Sequence, residues 1–178
     1  MPYRKRTSGV KDRITEALCN LIIDDGIPYQ QISVQELVDK AEVCRNSFYR
    51  NYETKEDILV SRFLRVKEES DELFGKMKEK DIHTLLLSIL TACRNNRRFL
   101  LCFYQAAPNI YLSYFVRTVL RSNTTEDPDL LDPDSYYLFA GRAWILAGLA
   151  TEWIRRDCDI CPEQLAGIIE KWNAGIGR

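Results

Sequence analysis

Apolar residues recur along this chain at three- and four-residue spacing almost throughout, the period of helices that bury one face. From Val10 the series runs through Ile14, Ala17, Leu18, Leu21 and Ile22 to Gly26, which stands where a left-handed residue ends a helix. Ser33 and Glu36 follow at capping-box spacing, with Ile32 and Leu37 able to staple the entry, so a second helix is predicted from Val34 to about Lys40. Ala41, Glu42 and Val43 make a turn. A third helix is predicted from Arg45 to about Asn51, with Phe48 inward and Ser47 and Arg50 outward. Thr54 and Asp57 repeat the capping pattern at the head of a fourth helix. Its stripe of Ile58, Leu59, Phe63, Val66, Leu73 and Met77 is long enough to connect two domains, and Arg62, Lys67, Glu68 and Glu69 form its solvated face.

The pattern continues through a helical stretch from Ile82, an aromatic segment from Arg98 and a helix opened by Pro108. Ser122 to Asp134 is a polar, proline-bearing loop. Asp132 and Pro133 then open a second long helix to about Asp157, and Pro162 opens the last. No alternating strand pattern occurs. The predicted fold is all-α, with residues 1–60 and 61–178 as two domains and a helix-turn-helix at about 32–51.

Composition narrows the function. The 178 residues, 46% of them hydrophobic, can bury a core, while a net charge of -1 means that any contact with nucleic acid comes from a local patch. Arg4, Lys5, Arg6, Lys11 and Arg13 supply one, against Asp12 alone. No signal-peptide core and no membrane-length apolar run is seen, so the expected location is cytoplasmic, without membrane association. The six cysteines then read as reduced thiols. Cys158 and Cys161 lack a second ligand pair, which leaves a helix-ending turn as the alternative to zinc or redox chemistry. With one histidine and no phosphate-binding glycine loop, neither a catalytic activity nor a cofactor or metal is expected.

The third helix is too short to be stable alone and must be held by packing, yet its free face is rich in polar groups. A tight turn before such a helix is the arrangement that lays a recognition helix in the DNA major groove. Arg45 and Asn46 lie at its start, where base edges are met, and these residue types pair bidentately with guanine and adenine. Ser47 and Tyr49 suit phosphates, and Lys55 stands at a helix start that favours an anion. The set assigned to double-stranded DNA is Ser33, Arg45, Asn46, Ser47, Tyr49, Arg50, Asn51 and Lys55, with Arg4, Lys5 and Arg6 on phosphates or in the minor groove. The competing reading of this face is a solvated αα-hairpin.

The stretch from Ile32 to Leu59 also resembles the TetR family of bacterial transcription regulators, on Ser33, Leu37, Val38, Ala41, Val43, Phe48, Tyr49, Tyr52, Lys55 and Glu56. Two positions depart: Glu42 stands where the family usually has Gly, and Cys44, a poor cap, where it usually has Ser. The resemblance implies a C-terminal domain that dimerises through the last two long helices and encloses an inducer pocket, hence a repressor released by a small molecule. The last two helices suit a homodimer in their own right. Ala140, Trp144, Ala147, Gly148 and Thr151 are expected on one side of the first, with Gly141 a heptad from Gly148 at the same interface, and Leu165, Ile168, Ile169 and Trp172 on the second. Intramolecular core is the competing explanation. A two-fold protein implies an inverted-repeat operator. For a small apolar or aromatic effector, the expected pocket residues are His83, Phe99, Cys102, Phe103, Tyr111, Tyr114, Phe115 and Trp144, a cluster equally able to be plain core. Two alternatives stand beside the inducible repressor: an activator controlled by a protein partner, and a helical protein-interaction adaptor, which would show no salt-sensitive DNA binding.

Overall fold

The computed structural model describes residues 3–123 and 130–176, with side chains described for 9–121 and 130–172. Nine α-helices and no strand occur among these residues. They divide into two compact units: residues up to Val66 together with Arg98–Ala107, and Lys67–Arg97 together with the chain from Pro108 onward.

In the first unit, α1 (Tyr3–Cys19) starts earlier than the apolar series predicts. It passes into a π-helical turn, Asn20–Asp24, that keeps Leu21 and Ile22 buried. Gly26 ends the segment at φ 68°, as its position in the sequence requires. The wider turn puts Asn20 and Asp24 within reach of Arg98 on α6 (Arg97–Ala106). Arg98 donates to Asn20 Oδ1 at 2.6 Å and to Asp24 Oδ2 at 2.7 Å, which holds the Asp24 carboxyl below its usual range. Phe103 of the same helix packs edge-on against Phe63, centroids 5.9 Å apart.

The helix-turn-helix forms from α2 (Val34–Lys40) and α3 (Arg45–Tyr49), followed by α4 (Lys55–Lys76). The Ser33–Glu36 capping box is complete. The third helix stops two residues short of the predicted Asn51, and Asn51 and Tyr52 bond back to Phe48 in a final turn.

In the second unit, α5 (Ile82–Asn95) packs on α9 (Pro162–Ile176), and α7 (Pro108–Asn123) packs on α8 (Pro133–Arg155). Asp81 and Thr84 cap α5 reciprocally, and Asp132 caps α8 through the Ser135 amide. The polar loop expected from Ser122 to Asp134 lies partly outside the described residues. At the far end of α8, the amides of Asp157 and Cys158 bond to the carbonyls of Ile154 and Trp153, with φ 58° and 56°. Cys158 thus sits in the turn that closes this helix.

Candidate nucleic-acid interface

Phe48 fixes α3. Its side chain is fully buried and meets the Tyr49 and Tyr52 rings at 5.3 and 5.8 Å between centroids. A five-residue helix carries little stability of its own, so this wedge and the buried Leu37 and Val38 of α2 hold it in place. The turn between the helices is a Schellman closure: Glu42 N–H donates to Asp39 O at 3.1 Å and Val43 N–H to Val38 O at 3.0 Å. Glu42 occupies its left-handed position at φ 52°, where glycine is favoured. Arg13, from α1, donates to the Glu42 carbonyl at 3.1 Å and pins the turn from outside.

The amino end of α3 has no side-chain cap, as a cysteine there predicts. Cys44 Sγ instead lies 3.1 Å from Ser47 Oγ, and that contact holds the thiol below its ordinary value. Arg45, Asn46, Tyr49 and Arg50 are exposed. The Arg45 guanidinium lies 5.6 Å from the centre of the Tyr49 ring and donates to its hydroxyl at 3.4 Å, so the two side chains form one stacked pair on the outer face.

The remaining residues assigned to DNA are engaged within the unit. Ser33 accepts from the Glu36 amide at 3.1 Å and donates to its carboxylate at 2.7 Å. Asn51 donates to Ser47 O at 2.7 Å. Lys55 donates to Tyr29 O at 3.0 Å and to Ile32 O, with its ammonium 4.6 Å from the centre of the Tyr29 ring. This charge ties the entry of α2 to the head of α4. The sequence offered no signal for it, because Tyr29 precedes the motif. Burial raises the Tyr29 hydroxyl well above its usual value. Arg4, Lys5 and Arg6 lie in the first turns of α1, and their side chains are outside the described residues.

The eight residues expected to form an effector pocket do not line one cavity. Phe99, Cys102 and Phe103 are buried in the first unit, where large aromatic side chains supply core area. Tyr111 and Phe115 are buried in the second, and Thr151 donates to the Tyr111 hydroxyl at 3.3 Å. Tyr114 is at the surface, Trp144 is exposed, and His83 pairs with Glu170 at 2.7 Å. None of the eight lines the cleft that the second unit does contain.

The expected dimer stripe also divides. Gly141, Trp144, Gly148, Ile168 and Trp172 are exposed, and Ala140 is half-buried. Ala147, Thr151, Leu165 and Ile169 face the protomer's own core instead. The reason is that the stripe straddles a boundary: Trp144 and Ala147, three residues apart, differ by about 60° around the helix, and the edge between exposed and buried surface runs between them.

No protein-family model matches the sequence, and no curated protein matches it significantly. Solved structures do resemble it. A TetR transcriptional regulator from Streptococcus agalactiae 2603V superposes with TM-score 0.63 at 19% identity, covering 97% of this chain and 98% of that one. The dihydroxyacetone kinase operon activator DhaS gives 0.62 at 18%, covering 93% and 94%. The fatty acid degradation regulator FadR from Bacillus halodurans gives 0.57 at 17%, covering 92% and 97%. Across nearly its whole length, this chain has the all-α fold of the TetR-type transcription regulators.

Proposed function

We propose that the protein is a sequence-specific DNA-binding transcription regulator that acts as a homodimer on an inverted-repeat operator. The observation that carries this reading is the outer face of α3, where Arg45, Asn46, Tyr49 and Arg50 are exposed on a short helix pinned by Phe48. Arg45 and Asn46 read base edges; Ser47, Tyr49 and Arg50 grip phosphates. Lys55, Asn51 and Ser33 act one step back, by holding the helix ends at the right height and angle.

Inducible repression is the proposed mode, with a small ligand favouring one spacing of the two reading heads over the other. Activation is the second reading, supported by the likeness to DhaS, a dihydroxyacetone kinase operon activator. Both modes need the same DNA contacts.

The test begins with an operator selected from a random DNA library, followed by titration at several salt concentrations. The apparent affinity should fall steeply with salt. Arg45→Ala should relax preference at one base position at a cost of about 1–3 kcal/mol, whereas Tyr49→Phe should weaken every sequence about equally. Lys55→Ala should lower the melting temperature as well as DNA affinity. DNA binding that is absent, or that is insensitive to salt, would favour the adaptor reading instead.

A further inference from the structure

The second unit contains a cleft of about 420 Å³, within the range of roughly 300–1,000 Å³ that suits small-molecule sites. Four helices contribute to it. Ile82 and Leu86 come from the start of α5, Phe139 and Arg142 from α8, and Ile169 and Glu170 from α9, with α7 completing the wall. The lining is largely aliphatic and aromatic, and it carries two charges of opposite sign that differ in one respect.

Glu170 already has a partner: its Oε1 lies 2.7 Å from His83 Nδ1. Arg142 is exposed, and no hydrogen bond or ion pair engages its guanidinium among the described residues. A guanidinium beside an apolar cleft offers a fixed fork of donors that matches a carboxylate. An incoming cation would meet Arg142 and would have to displace His83 to reach Glu170. A neutral amphiphile would gain from the walls alone.

We propose that this cleft binds a single-chain amphiphilic carboxylate, with its hydrocarbon part between Ile82, Leu86, Phe139 and Ile169 and its carboxylate on Arg142. Each methylene buried strengthens binding by about fourfold. The cleft's size limits the ligand to one short chain and excludes a two-chain lipid. Action of this ligand as an effector rests on the DNA-binding reading above; its binding does not, because it is measured on the protein alone.

The experiment is calorimetric titration of the full chain, without DNA, using decanoate, decanol and decyltrimethylammonium below their aggregation limits. Decanoate should bind at least tenfold tighter than decanol, and the cation should bind weakest. Arg142→Gln, at an exposed position, should bring decanoate down to the affinity of decanol and leave decanol unchanged. Ile82→Glu places an acid in the first turn of α5, where it suits the helix dipole, and should weaken decanoate at least tenfold with the helix content intact by circular dichroism. Equal binding of decanoate and decanol, a preference that survives Arg142→Gln, an undiminished affinity in Ile82→Glu, or no binding at all would each overturn the proposal. Titration of the operator with and without decanoate then tests the effector role separately, so that failure of the cleft and failure of the DNA reading are told apart.

Discussion

The two units finish their surfaces in opposite ways. In the helix-turn-helix, the apolar side chains Leu37, Val38, Phe48 and Tyr52 are buried and the outer face of α3 is almost wholly polar, Tyr49 being the exception. On α8 and α9, large apolar side chains stay in solvent: Tyr137 is 74% exposed, Trp144 52% and Trp172 56%. The first surface is complete in one protomer and free to meet a polar partner. The second is incomplete, because exposed aromatic side chains in a stripe lose hydration cost only when another apolar surface covers them. A second copy with the stripes facing each other, the homodimer proposed above, would supply that cover.

Substituting one aromatic in each region breaks this contrast most directly. Phe48→Ala removes a fully buried wedge and should destabilise the protein by about 3–5 kcal/mol. Hydrogen exchange should place the loss in α2 to α4. Trp144→Ala, in dilute protein, should change stability by less than about 0.5 kcal/mol, as exposed substitutions usually do. At high protein concentration it should lower the melting temperature, since whatever binds the native face stabilises it by mass action. If the two substitutions cost the same in dilute protein, the exposed stripe is not a free surface.

Next in size is Gly148→Arg. Neither Gly141 nor Gly148 has an atom within 4 Å of where a Cβ would stand, so nothing inside the protomer calls for glycine at either place. Glycine inside a helix nevertheless costs about 1 kcal/mol against alanine. A partner helix approaching closely is the explanation we favour. Gly148→Arg should leave a helical protomer at least as stable as before and yield a monomer by light scattering. Operator affinity should fall by about 10²-fold or more as the second contact ceases to be intramolecular. A variant that remained dimeric would move the interface elsewhere.

The same contrast governs what could be read from the chain. In α2 and α3 one face is apolar and the other polar, so period and caps alone place Ser33, Leu37 and Phe48 correctly. In α8, Tyr137, Phe139, Ala143, Ile145, Ala147 and Leu149 surround most of the helix, and periodicity cannot choose a face when nearly all faces are apolar. That is why Ala147 and Thr151 were expected outside and lie inside. The aromatic cluster misled for a related reason: Phe99, Phe103 and Tyr111 announce burial without saying against what. The bonds of Lys55 to the Tyr29 and Ile32 carbonyls were illegible because they join residues more than twenty positions apart, and a lone lysine at a helix start reads as an anion site.

Smaller effects test the finish of the helix-turn-helix itself. Glu42→Gly should stabilise the protein by about 1 kcal/mol, the order of the penalty for a side chain in the left-handed region, less what a freer unfolded chain takes back. It also removes a negative charge from the turn beside α3, so operator affinity should rise at low salt and the gain should shrink as salt is added. A stability change without that salt-dependent gain would place Glu42 away from the duplex.

The smallest expected effect is at Cys44. The α3 N-cap makes no side-chain hydrogen bond to the helix amides, and serine has the oxygen that such a cap requires. Cys44→Ser should raise the melting temperature by about 1–2 °C near neutral pH. The pH dependence carries its own signature. Contact with Ser47 holds the Cys44 thiol below its ordinary value of 9.0, so the thiolate is favoured in the folded chain relative to the unfolded one. A group with a depressed folded value adds stability as pH rises from that value toward 9.0, and adds none below it. Serine does not titrate there. The advantage of Cys44→Ser should therefore be largest at neutral pH and narrow as the solution is made alkaline across this window. Paired melting curves for the wild type and the variant read the difference directly, and an advantage constant with pH would mean that the Ser47 contact does not hold in solution.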